Sequence, residues 1–269
     1  MLYKTKAIIL GGRDLREADK LLTFYSLDLG KRKAIAKGIR KTKSKFGANL
    51  EPFTLSKLLV YTKSRHHHDN LDIITDAEAQ RSFKTTRESL IGFGCSSYMS
   101  EFLNEMVHEG EPSKPLFNLF YRFLSALEDG LDPFLVVSGF SMQAFGIFGY
   151  HPVIDRCCLC GKDIKKLKTG SVFFSTGMGG IMCSPCRKEG SFSFELKLPS
   201  IGYLKQLLKM HPDLLKSLRL NSVCKKEVEK VIRSYLSFYI EKELKSIKLL
   251  ESTGVFNHNQ QEERCIRMI

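Results

Sequence analysis

No GxxxxGK[ST] phosphate loop, no GxSxG elbow and no HExxH helix occurs in this chain. The usual signatures of nucleotide hydrolysis, acyl transfer and metalloproteolysis are therefore missing. His-x-Glu, the element a zinc deaminase sets beside its cysteines, is absent too. Glu17 and Asp19 are close neighbours, but they sit among Arg13, Arg16 and Lys20 and are expected to be charge-paired. A binding protein, and not an enzyme, is the expectation. The chain also shows no secretory leader, because Met1–Lys6 runs into a short strand-like segment. The expected compartment is the reducing cytoplasm.

Charge is scarce in one place and one-sided in another. Between Asp132 and Asp155 there is no Asp, Glu, Lys or Arg, a stretch long enough to span a bilayer at about 20 residues. Pro133, Gly139, Gln143, Gly146, Gly149 and Pro152 interrupt it, so a buried core helix is expected and no membrane segment. Acids are absent from residues 31–45, where Lys31, Arg32, Lys33, Lys37, Arg40, Lys41, Lys43 and Lys45 place eight cations in fifteen residues. Residues 1–49 hold thirteen cations and four acids, most of the chain's net +13. Such a run can follow a phosphate backbone without reading bases. Phe46, inside it, is the expected exposed stacking platform.

Eight cysteines in 269 residues are too few for a disulfide scaffold. Four of them form two C-x-x-C knuckles, Cys157/Cys160 and Cys183/Cys186, with 22 residues between them. Two residues between thiolates let both sulfurs reach one ion, and two knuckles complete a tetrahedral four-sulfur zinc site. A closed set of four leaves no open position for substrate, so the expected zinc is structural. Cys158 is an alternative first ligand if the loop shifts register. A single redox C-x-x-C would need a βαβ frame, which is missing. The histidine run His66–His68 reads as a hydrated loop.

The order of patterns predicts an α+β protein of two domains. Five short β-prone runs separated by turn residues fill residues 1–80, as in a five-stranded OB-fold barrel. Helical periodicity then governs 81–252, interrupted by a Gly- and Cys-rich zinc lobe at about 151–190, and a polar tail follows at 253–269. Ser113 and Pro115 signal one helix start, Phe134–Phe148 another helix, and one apolar stripe runs from Val228 to Ile247. Lys225, Lys226, Lys230 and Arg233 belong to the polar side of that last helix. A fragment ending near Ala79 is expected to fold alone and bind single strands.

Several segments in order resemble the bacterial RecO family of DNA repair proteins. These are Glu17-Ala18-Asp19-Lys20-Leu21-Leu22, Gly30-Lys31, Ala36-Lys37-Gly38-Ile39-Arg40-Lys41, Ser44-Lys45-Phe46-Gly47 and Leu50-Glu51-Pro52-Phe53. Further on come Gly149-Tyr150-His151-Pro152 and the two knuckles with Gly161 and Gly179-Gly180. The resemblance implies an OB-fold joined to a helical domain with a zinc lobe. It also implies binding of single- and double-stranded DNA, strand annealing, and cooperation with RecR in loading RecA on DNA coated by single-strand binding protein, at the nucleoid. The competing expectations are a zinc-ribbon RNA-binding factor of translation or transcription, distinguished by a preference for structured RNA, and a nucleic-acid enzyme, distinguished by turnover of an oligonucleotide.

Overall fold

Strand β1 (Leu2–Asp14) is long enough to serve two neighbours, and the other strands are β2 (Lys20–Ser26), β3 (Gly30–Ala36), β4 (Leu55–Tyr61) and β5 (Asp72–Arg81). In the computed structural model, which describes residues 1–62, 71–166, 171–187 and 192–257, these strands close a barrel in the order β1-β2-β3-β5-β4. The amino-terminal half of β1 pairs with β4 (Leu2 opposite Tyr61, Ile8 opposite Leu55), and its other half pairs with β2 (Asp14 opposite Lys20). A register shift between Ile9 and Gly11 bends the strand between these tasks. Closure comes from a short parallel contact, Ala34–Ala36 against Asp72–Ile74. This is the five-stranded OB architecture. His66–His68 and Cys265 lie outside the described residues.

The barrel interior mixes small and large side chains. Ala7, Ala34, Ala36 and Ala77 leave space that Phe24, Phe46, Leu58, Val60 and Ile74 fill. Gly30 occupies the β2–β3 turn with φ +67, and a Cβ there would stand 2.2 Å from the carbonyl oxygen of Glu111. Only glycine fits at that approach.

Three helices belong to the same compact unit as the barrel, Met1–Asp129. They are α1 (Lys84–Glu88), α2 (Leu90–Met106) and α3 (Lys114–Glu128). Ser113 accepts a hydrogen bond from the Leu116 amide and starts α3, as its sequence signals. Glu128 accepts from the Thr85 and Thr86 amides at 3.1 and 2.7 Å, so the end of α3 caps α1. The helices cover aromatic residues outside the barrel: Tyr25 meets Phe117, Phe53 meets Phe93, and Phe83 meets Tyr121. A cut near Ala79 would remove Gln80 and Arg81 from β5 and bare Tyr25 and Phe53. The self-sufficient fragment expected from the pattern is thus short of its own cover.

The second unit, Gly130–Ile269, is built round α4 (Pro133–Ile147). Asp132 accepts from the Phe134 and Leu135 amides to start it, and its buried residues occur on all sides, so the uncharged stretch is a core helix. Among the described residues no helix is long and apolar enough to cross a membrane. A sheet of β6 (Ser171–Ser175), β7 (Gly180–Met182) and β8 (Phe194–Lys197), ordered β7-β6-β8, forms part of the cysteine lobe. The helical reading that resumed at about residue 191 is corrected over 194–197, because β8 pairs with β6 through Lys197. Helices α5 (Leu198–Lys209), α6 (Pro212–Leu215), α7 (Ser222–Tyr239) and α8 (Ser246–Ser252) complete the unit. The expected single stripe to Ile247 is two helices. Ile240 turns extended (φ −116, ψ 114), yet Leu244 and Ile247 still reach the interior across the break.

Candidate nucleic-acid interface and metal centre

The basic run divides into a strand and a loop with different surroundings. On β3, Lys31 is half-buried and its Nζ donates to the Asn104 carbonyl. Burial and the neighbouring Lys33 both push its pKa down. Lys33 pairs with Glu109 at 3.9 Å. Arg32 is half-buried, with its Nε withdrawn from solvent and without a hydrogen-bond partner among the described residues. These three cations face residues 104–110 of their own unit, and that limits their freedom to meet a ligand.

After β3 the chain turns into the loop. Asp19, expected to be charge-paired, instead accepts the Gly38 amide at 2.8 Å, and the Arg40 amide donates to the Ala18 carbonyl at 3.1 Å. The β1–β2 connection thereby fixes where the basic loop leaves the barrel. Arg40 pairs with Asp14 at 3.1 Å. Lys37, Lys41 and Lys43 are exposed and have no carboxylate partner among the described residues. Lys45 donates to the Thr75 carbonyl at 2.6 Å and lies over the Phe46 ring.

Phe46 corrects an expectation. It is 1% exposed and lies in the barrel core with Leu50, so it offers no stacking face. The reason is local. Gly47–Leu50 form a 3-10 turn that lets Phe46 and Leu50 both face inward, and Asn49 pins the turn by donating to the Ala77 carbonyl at 2.8 Å. An apolar pair four residues apart in an otherwise polar loop was the available signal.

In the second unit, Cys157, Cys160, Cys183 and Cys186 converge, with all four sulfurs within 4.8 Å of one another. Four sulfurs at about 2.3 Å from one tetrahedral zinc would stand about 3.8 Å apart, and the Cys160–Cys183 separation is 3.7 Å. The residues therefore fit a four-coordinate metal ion. Cys158 is outside this group, so the first of the four clustered thiols is Cys157. The lobe's sheet sets the spacing. Gly180, whose Cβ would be 2.2 Å from the Val153 carbonyl oxygen, lets the strand before the second knuckle press against the chain entering the first.

The thiols differ electrostatically. Burial opposes ionisation of Cys157, but the amides of Cys160, Cys183 and Leu159 aimed at its sulfur outweigh that and hold it down to about 6. Hydrogen bonding with Cys183 and Cys160 pushes Cys186 up to about 12. Of these two thiols, Cys157 is thus the more readily ionised. A divalent ion held by the four sulfurs would supply charge that favours their thiolate forms.

The four polar-side cations of α7 are unequal. Arg233 donates to Glu229 at 2.9 Å and to Glu251 at 2.7 Å, and Lys225 pairs with Asp132 at 3.7 Å. Lys230 lies over Phe194, and Lys226 is exposed. As a group they do not form a free basic track.

Fold and site together define an OB-barrel protein whose second, helical unit carries a four-cysteine cluster with the geometry of a metal site. The family models for Recombination protein O, amino-terminal and carboxy-terminal parts, match residues 1–83 and 87–248. The chain is 32% identical over 250 residues to the DNA repair protein RecO of Desulforamulus reducens, covering 93% of this chain and 94% of that one. It is 33% identical to the DNA repair protein RecO of Pelotomaculum thermopropionicum, covering 94% and 95%. With the same-named protein of Rubrobacter xylanophilus it shares 36% over 208 residues, covering 77% and 80%. The chain belongs to the RecO family of DNA repair and recombination proteins.

Proposed function

We propose that this protein is a cytoplasmic, non-catalytic recombination mediator. It binds single- and double-stranded DNA, anneals complementary strands and, with RecR, helps load RecA on DNA coated by single-strand binding protein. The family membership supports the mediator role. The observation that carries DNA binding is the loop bearing exposed Lys37, Lys41 and Lys43, held at its base by Asp19 and left without carboxylate partners among the described residues. Cations in that state neutralise phosphates at little cost, since no ion pair has to be broken first. Arg40 and Lys45 flank the contact, whereas Lys31, Arg32 and Lys33 chiefly secure β3 against residues 104–110. Lowering the repulsion between two strands is sufficient for annealing, and no bond is made or broken. Cys157, Cys160, Cys183 and Cys186 hold one structural zinc, which fastens the lobe and takes no part in chemistry.

The test is the salt dependence of binding to a labelled single-stranded oligonucleotide. Changing Lys37, Lys41 and Lys43 together to Ala should lower the log–log slope by about 2, at roughly 0.7 for each phosphate no longer neutralised. An unchanged slope in the folded variant would overturn the assignment of DNA to this loop.

A further inference from the structure

The second unit carries its own concentration of positive charge, on helix α5 and on the chain around the first knuckle. Helix α5 contains no acidic residue, and its Lys205 and Lys209 stand one turn apart on one side. Lys205 reaches Asp155, Nζ to Oδ1 2.5 Å. Asp155 belongs to the chain entering the first knuckle. There the backbone of Arg156 bridges to that of Asp163, and the Ile164 amide donates to the Asp155 carbonyl at 3.1 Å. That pairing leads the chain through Lys162 into the 3-10 turn Ile164–Lys166, which carries Lys165 and Lys166. The charges of Lys209 and Lys165 also act on Asp155.

Six cations thus stand on the chain around the first knuckle and on α5, stretches in which Asp155 and Asp163 are the carboxylates. Asp163 is already engaged, accepting the Lys165 amide at 2.8 Å. Arg156, Lys162, Lys165, Lys166 and Lys209 are exposed. Like charges held together by a folded sheet and helix repel one another, so the patch costs the fold energy that an anionic ligand would return. Five of the six are lysines, point charges on flexible stems, with a single arginine to form a planar fork. That composition suits a run of phosphates more than a particular carboxylate pocket.

We propose that Lys165, Lys205 and Lys209 centre a second nucleic-acid strand site on this unit, so that one chain holds two single strands. The proposal rests on the reading of the protein as a DNA-binding annealing factor and adds what annealing needs, a place for each strand. Two sites on one chain convert the meeting of strands from a bimolecular search into a local one.

The experiment titrates full-length protein, well above its dissociation constant, with two non-complementary labelled oligonucleotides carrying donor and acceptor dyes. The wild type should saturate at two strands per chain and give energy transfer. Lys165→Gln/Lys205→Gln/Lys209→Gln should saturate at one, with first-strand affinity within about twofold. The corresponding Lys→Arg triple variant, which keeps the charge, should still take two; unfolding of the Gln variant is therefore distinguishable from loss of the site. Wild-type saturation at one strand per chain, or two strands on the folded Gln variant, overturns the second site while leaving DNA binding intact. A wild type that binds no strand removes the DNA-binding reading itself, and this proposal with it.

Discussion

Tyr25 of β2 and Phe117 of α3 lie nearly face to face, with ring centroids 6.3 Å apart and planes inclined by 29°. Barrel and helices therefore share one core. A fragment ending after Asp129 should unfold cooperatively, whereas one ending at Phe83 should melt broadly and at lower temperature. Uncovering Tyr25 and Phe53 forfeits roughly 1.5–3 kcal/mol for each large side chain returned to water. Thermal circular dichroism on both fragments checks this. Equal melting temperatures would show that the helices contribute nothing to the barrel.

Phe46 separates packing from recognition. Phe46→Ala should destabilise the protein by about 3–5 kcal/mol, the usual cost of emptying a buried phenylalanine site. Oligonucleotide affinity, measured at a temperature where the variant is folded, should stay within about twofold of wild type. A large affinity loss with unchanged stability would return Phe46 to the role of a stacking platform.

The metal centre makes a sharper demand on individual cysteines. Protein purified without added metal should contain one zinc per chain, and Cys160→Ser or Cys183→Ser should lose it. Cys158→Ser should keep it, because its sulfur lies outside the cluster. The two losses should be accompanied by loosening of the lobe, since ligand binding and folding of such sites are linked. Zinc lost from Cys158→Ser and retained in Cys160→Ser would reverse the ligand assignment.

What the sequence made legible follows from how local each signal is. The knuckle spacing is a covalent constraint, so the clustering of the four cysteines could be read directly, and Ser113 and Pro115 announced α3 within one turn. Strand positions in the barrel were also readable, because Gly30 and its neighbours punctuate them. Phe46 was not, since its burial depends on a 3-10 turn anchored by Asn49 to distant Ala77. The lobe's sheet was hidden for a similar reason. Its strands are only three to five residues long and meet across the chain, so no window showed a clear period. The Lys165–Lys205–Lys209 grouping joins residues about forty positions apart, and its linear hints were the absence of acids from α5 and the lysines of residues 162–168.

Glu229 and Arg233 carry the last prediction. Glu229 is 4% exposed, and it accepts from Arg233 Nε at 2.9 Å, from the Asn257 amide and from Asn257 Nδ2 at 2.6 Å. Arg233 in turn holds Glu251 and lies over Phe256. Together they fasten the segment after α8 onto α7. Removing one partner leaves the other charge inside without compensation, so Glu229→Ala should cost about 3–5 kcal/mol. Replacing both, as Glu229→Leu/Arg233→Met, should cost less than the single change, because no charge is then stranded. Denaturant titrations of the three proteins decide the matter. A double variant less stable than Glu229→Ala would mean that the pair contributes more than mutual compensation. Glu229→Ala within about 0.5 kcal/mol of wild type, the range of ordinary surface substitutions, would mean that the network does not hold this segment at all.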